Sequence, residues 1–171
     1  MRKRREARER AVQFLFQYDL NPPENLQAAL DHFWEAQRTN AVMEKIPGST
    51  WGERVEIPPP TSEDQAMRLF ADGLIGGVIE HLAETDEIIR SFTKNWELGR
   101  LAVVDRNVLR LAIYEMRYRD DIPPVVSINE AVDIAKKFST DQSGKFVNGI
   151  LDKIKDSILR PARTAKTPGE A

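Results

Sequence analysis

The chain has 171 residues, 41% hydrophobic and 30% charged, with no cysteine and a formal net charge of −2. These values fit a single globular domain that can bury a core unaided, and they exclude disulfides, thiolate metal sites and cysteine nucleophiles. The longest apolar runs, such as Leu74-Ile75, fall far short of the roughly 20 residues a bilayer span needs, and no apolar stretch follows the basic start as a signal peptide would require, so a cytoplasmic address without membrane contact is expected.

The first helix follows from Ala11, Phe14, Leu15 and Tyr18 at helical spacing. Six basic side chains (Arg2, Lys3, Arg4, Arg5, Arg8, Arg10) lead into it against two acidic ones (Glu6, Glu9), leaving the rest of the chain acidic. A basic end on an acidic protein is the footprint of a polyanion contact; the same composition suits a solvated, frayed terminus. Pro22-Pro23 stops the helix. Leu26, Ala29, Leu30 and Phe33 mark a second helix, after which the pattern fails, and residues 38–60, with Pro47-Gly48 and Pro58-Pro59-Pro60, are expected to form a long loop or insertion.

Thr61 or Ser62 then caps a third helix carrying Ala71, Leu74, Ile75, Val78 and Leu82. Its Gly73, Gly76 and Gly77 weaken it, which points to close approach of a neighbouring helix. A short helix over 84–92 follows, then one over 105–119 with Leu109, Ala112, Ile113 and Met116 on one face. Ser127-Ile128-Asn129-Glu130 has the form of a capping box for the next helix, and Val147, Ile150, Leu151, Ile154 and Ile158 line the last. The expected architecture is an all-α bundle of six or seven helices in one domain over 1–160, with residues 161–171 a disordered tail.

Catalytic and cofactor signatures are missing from this pattern. His32 and His81 fall on separate predicted helices, too few for a zinc site. Ser143-Gly144-Lys145 lacks the upstream glycine and strand of a phosphate loop, and the glycines of the third helix do not form a dinucleotide fingerprint. Nothing assembles nucleophile, base and oxyanion donors, so the reading is a non-enzyme with no cofactor.

What the residues do favour is RNA. Arg4 and Arg8 share a helical face with Arg5 beside them and Lys3 preceding, and guanidinium groups bind phosphates bidentately and stack on bases. Recognition of unpaired bases needs aromatic or amide groups; the candidates are Gln13 and Phe16 on the first helix and Lys145, Phe146 and Asn148 on the last. Core packing is the competing account of both phenylalanines.

The stretches Asp105-Arg106-Asn107-Val108-Leu109-Arg110-Leu111-Ala112-Ile113-Tyr114-Glu115-Met116, Ile128-Asn129-Glu130-Ala131 and Lys145-Phe146-Val147-Asn148-Gly149-Ile150-Leu151-Asp152, with Arg4-Arg5-x-x-Arg8-x-x-Ala11-Val12-Gln13 at the start, resemble the NusB transcription antitermination family over nearly the whole chain apart from the 38–60 region and the tail. The resemblance implies two small helical sub-bundles and binding of single-stranded boxA RNA in nascent ribosomal transcripts. It further implies a joint partner, the small-subunit ribosomal protein NusE, and association with the elongating RNA polymerase and other Nus factors. By the same resemblance Arg4, Arg5 and Arg8 match the arginine-rich RNA-binding segment, and Gln142, Lys145 and Phe146 match an RNA-holding region near the start of the last helix. Asp105, Arg110 and Glu115 lie on the helix whose exposed side is assigned to the ribosomal protein. Two further readings remain open: an RNA-binding accessory domain like the N-terminal part of ribosomal RNA cytosine methyltransferases, and a protein-only interaction module, with a homodimer among its forms. The methyltransferases need a Rossmann-like domain for which this sequence has no strands or glycine-rich loop.

Overall fold

The computed structural model describes residues 2–46, 48, 56–93 and 98–164, with side chains described for 3–158 of these. Seven α-helices follow in order: α1 (Arg2–Leu20), α2 (Leu26–Glu44), α3 (Ser62–Glu80), α4 (Leu82–Phe92), α5 (Val103–Tyr118), α6 (Pro124–Phe138) and α7 (Asp141–Thr164). A 3₁₀ turn, Leu98–Arg100, precedes α5, and no strand occurs among the described residues.

The helices pack as two groups that share α5. Helices α1 and α3 lie along one another, and α2 closes over them through Leu30, Phe33 and Trp34, with Phe33 edge-on to Phe14 at 5.4 Å. On the other side α6 and α7 form the tightest pair, and both rest on α5. Helix α5 is buried on most sides: Val108, Leu109, Leu111, Ala112 and Ile113 all lie in the core, joined to Leu15, Leu74, Ile75, Ile134, Leu151 and Ile154 in one continuous apolar cluster. Removing that much apolar surface from water is what drives the bundle together.

The helix boundaries depart from the pattern in three places. Helix α2 continues to Glu44, so residues 38–44, expected as loop, are helical; no proline or glycine interrupts the chain there, and apolar periodicity is not needed once a helix is anchored at one end. Positions 47 and 49–55 of that expected loop lie outside the described residues. Helix α7 runs through Pro161 to Thr164 into the expected disordered tail, even though a proline beyond the first turn forfeits a backbone hydrogen bond; positions 165–171 also lie outside the described residues. The cap of α6 is Pro123, with Pro124 in the first turn, a position where the missing N–H costs nothing. Ser127 and Glu130 are therefore not a capping box. The true box is Thr61 with Asp64 at the start of α3, where each side chain meets the other's backbone amide at 3.1 and 3.0 Å. Of the three glycines in α3, only Gly77 is pressed by a neighbour: a Cβ there would overlap the Tyr114 ring of α5, whereas Gly73 and Gly76 face open space.

Candidate nucleic-acid interface

The basic start of α1 is helical from Arg2 and is wedged between α3 on one flank and α6 on the other, so its cations part company. Arg5 reaches α6: its Nε and Nη2 donate to the two carboxylate oxygens of Glu130 at 2.9 and 3.0 Å, and Nη2 also donates to Asp133 at 2.9 Å. The hydrogen bond and charge of Glu130 raise the guanidinium's pKa. The side chain is nonetheless half exposed, and Nη1 carries no described partner. Arg4 points the other way, over the Phe70 ring of α3 at 5.0 Å. It makes no ion pair with any described residue, and Lys3 sits 3.6 Å from Glu63.

Arg8 corrects the expectation of a row of accessible arginines. It is 4% exposed, its Nε donates to Glu115 of α5 at 2.6 Å, and its guanidinium covers Phe70 at 5.4 Å. A guanidinium so enclosed holds helices together and is not presented to a phosphate.

Beside Arg5, helices α6 and α7 form an open groove of about 580 Å³ lined by Val126, Asn129, Val132, Lys136, Lys145 and Asn148, with Glu130 and Asp133 at the Arg5 end. Two lysines and two side-chain amides thus face one channel, and neither Lys136 nor Lys145 pairs with a described carboxylate. The arrangement suits an extended polyanion: cations for phosphates, and amides that can both donate to and accept from base edges.

The groove gathers three of the residues singled out from the sequence: Arg5, Lys145 and Asn148. Gln142 is exposed in the first turn of α7. Phe146 is half buried and packs against the core, while Phe16 is 36% exposed on α1 and Gln13 accepts a hydrogen bond from Arg10 at 3.1 Å; none of these three lines the groove. Asn129 and Lys136 were missed, although their spacing of seven on α6, two helical turns, places them on one face.

Asp105, Arg110 and Glu115 require a second correction, because none lies on an exposed side of α5. They are 8%, 6% and 1% exposed. Arg110 donates through Nε and Nη2 to both oxygens of Asp86 on α4, at 2.7 and 2.9 Å, and through Nη1 to Asp19 on α1 at 3.1 Å. Glu115 accepts from Arg8 and, through its second oxygen, from the Ser127 hydroxyl at 2.6 Å. Asp105 accepts from Ser143 of α7 at 3.1 Å and leaves its Oδ1 buried without a partner; burial pushes its pKa up, against the pull of that hydrogen bond. A helix whose apolar faces are all covered must turn its polar groups inward too, and these survive by pairing.

Among the described residues, no helix is long and apolar enough to cross a membrane, and no three His, Asp or Glu side chains converge where a metal ion could be held.

The defining pattern of the NusB family is matched over residues 5–156. The transcription antitermination protein NusB of Bacillus velezensis is 41% identical over 158 residues, covering 91% of this chain and 98% of that protein. Its counterpart in Anaeromyxobacter dehalogenans is 42% identical over 161 residues, covering 94% and 95%. Among solved structures, T. maritima NusB superposes with a TM-score of 0.70 at 34% identity, covering 95% of this chain and 96% of that one. A crystal structure of the antitermination factors NusB and NusE in complex with dsRNA contains a chain that matches with a TM-score of 0.68 at 26% identity, covering 92% and 98%.

Proposed function

The chain belongs to the NusB family, and from that premise we propose that it is a transcription antitermination factor that binds boxA-type RNA of nascent ribosomal transcripts jointly with NusE. In that role it joins the elongating RNA polymerase and acts by binding rather than catalysis. The observation that supports this most is the groove between α6 and α7, where Lys136, Lys145, Asn129 and Asn148 face one channel with Arg5 at its rim. Arg5 offers its Nη1 edge to a phosphate while Glu130 fixes its other edge, so the guanidinium is oriented before RNA arrives and loses little freedom on binding. Gln142 is exposed in the first turn of α7, three residues before Lys145, whereas Lys3 and Arg4 are exposed on the α3 flank of α1 and add positive charge away from the groove. Arg8 and Glu115 contribute by holding α1 against α5. Asp105 and Arg110 fix α5 for the ribosomal-protein contact in the same indirect way.

The test is a salt titration of the affinity for a boxA-containing RNA strand with NusE present. Log affinity falls with log salt by roughly 0.7 per phosphate neutralised on a single strand. Replacing Arg5 and Lys145 together by glutamine is expected to lower that slope by about 1.4. An unchanged slope, or no binding by the parent protein at low salt, overturns the assignment. NusE and RNA should also raise each other's affinity by the same factor, because coupling through a joint complex is reciprocal.

A further inference from the structure

The two lysines in the last turn of α6 have different fates. Lys137 Nζ lies 2.9 Å from Glu9 of α1 and is spent on that ion pair. Lys136 pairs with no described carboxylate and turns into the groove. Its stem lies flat on the first turn of α7 at Gly144, where a Cβ would come 2.6 Å from its Cγ and 2.9 Å from its Cε. Carbon atoms do not pack that closely.

Gly144 has no backbone reason to be glycine. Its φ is not positive, it stands inside a helix where alanine is the better former, and the three atoms nearest to a Cβ there all belong to Lys136. What its bare Cα admits is the lysine stem. A lysine laid along a neighbouring helix keeps its methylenes on apolar surface and delivers its ammonium to a restricted place. Here that place is the channel shared with Lys145 and Asn148.

We propose that Lys136 is a phosphate contact for the RNA strand in the groove and that Gly144 is its positioning residue. The inference rests on the RNA-binding reading above: it gives Lys136 a defined target and adds Gly144. Any single-stranded RNA backbone meets the requirement, since an ammonium acts as a point charge on a phosphate and reads no base.

The experiment measures binding of the full chain, with NusE, to a fluorescein-labelled boxA RNA across a salt series, for Lys136→Gln, Lys136→Arg, Gly144→Ala and the double variant Lys136→Gln/Gly144→Ala. Lys136→Gln is expected to weaken binding about fivefold and to reduce the salt slope by roughly 0.7; Lys136→Arg retains both. Gly144→Ala is expected to weaken RNA binding while leaving the thermal midpoint equal or higher, which a merely structural role would not do. The double variant is expected to bind no more weakly than Lys136→Gln alone, because both changes remove one contact. If Lys136→Gln leaves affinity and slope unchanged while Arg5→Gln and Lys145→Gln lower them, Lys136 is not a contact and the groove reading stands. If none of the three moves the slope, both fail together. A full additional loss from Gly144→Ala in the Lys136→Gln background would remove Gly144 as the positioning residue.

Discussion

Arg8 Nε donates to Glu115 Oε1 at 2.6 Å across 107 positions of sequence, and the two side chains are 5% and 1% exposed. The second Glu115 oxygen takes the Ser127 hydroxyl at 2.6 Å, so one carboxylate ties α1, α5 and α6 at a single point. Taking two charges out of water costs about as much as their attraction returns, so the pair itself adds little net stability. Breaking it is another matter. Arg8→Leu or Glu115→Leu alone strands one buried charge and is expected to cost about 3–5 kcal/mol. The combined change Arg8→Met/Glu115→Leu should recover most of that loss, with the unpaired Ser127 hydroxyl retaining a part. Urea denaturation of the three variants decides it: single variants within about 1 kcal/mol of the parent would mean that the pair is not withdrawn from solvent. It follows that a loss of RNA binding on mutating Arg8 should be accompanied by a loss of fold, unlike one at Arg5.

Glycines in α3 separate by surroundings rather than by sequence. Gly77→Ala must displace the Tyr114 ring, which is stacked toward His81 at 6.1 Å and tilted against Tyr118 at 5.6 Å. It is expected to destabilise by about 1–3 kcal/mol, the usual range for overpacking. Gly73→Ala and Gly76→Ala meet open space and should stabilise by about 0.5–1 kcal/mol through helix propensity. Thermal melts of the three side by side check the contrast, and equal effects would contradict the crossing of α3 over α5 at Gly77.

That contrast shows what a sequence can and cannot disclose. Apolar spacing locates α1, α3, α5 and α7 because burial of one stripe repeats locally, every three or four residues. It does not say which charged residue of an amphipathic helix is inside. Arg4, Arg5 and Arg8 read alike in sequence, yet the first covers Phe70, the second meets Glu130 and the third is sealed against Glu115. Each outcome depends on a partner brought close only by the fold. Arg110 and Glu115 were placed outside for the same reason: α5 is enclosed by neighbours on nearly every side, and its apolar face alone does not reveal that. Lys136 is not legible in the sequence because what distinguishes it from Lys137 is a glycine eight positions away on the next helix.

Asp19 sits between Arg106 Nη2 at 2.7 Å and Arg110 Nη1 at 3.1 Å. Burial alone would raise its pKa, but the hydrogen bond from Arg106 and the charges of both arginines outweigh it and hold the carboxyl below its ordinary value of 3.8. A group depressed in the folded state binds fewer protons there than in the unfolded chain, so its contribution is fully present above 3.8 and is lost as pH falls through the lower folded value. Asp19→Asn is therefore expected to lose stability at pH 7 and to show a shallower acid-induced decline between about pH 5 and 2. An undiminished acid slope in equilibrium unfolding would show that Asp19 is not the group titrating.

Asp105 carries the opposite sign. Its Oδ1 is buried with no partner, and Ser143 gives the other oxygen a single hydrogen bond at 3.1 Å. Burial penalises the charged form more than that bond helps, so the folded pKa lies above 3.8. Between those two values the folded protein holds the proton more tightly than the unfolded chain does, and stability declines as pH rises through that window. Above it, the cost of a charge without sufficient partners is fully present. Asp105→Asn removes the charge while its carbonyl can still accept from Ser143, so the variant should be more stable than the parent at pH 7. The advantage should shrink as pH falls toward 3.8 and vanish below it, where the parent carboxyl is protonated in both states. The measurement is the difference in unfolding free energy between the two proteins from pH 3 to 8. A difference that does not change with pH, or that favours the parent at neutrality, would mean that the α5–α7 junction accommodates the carboxylate better than its geometry allows.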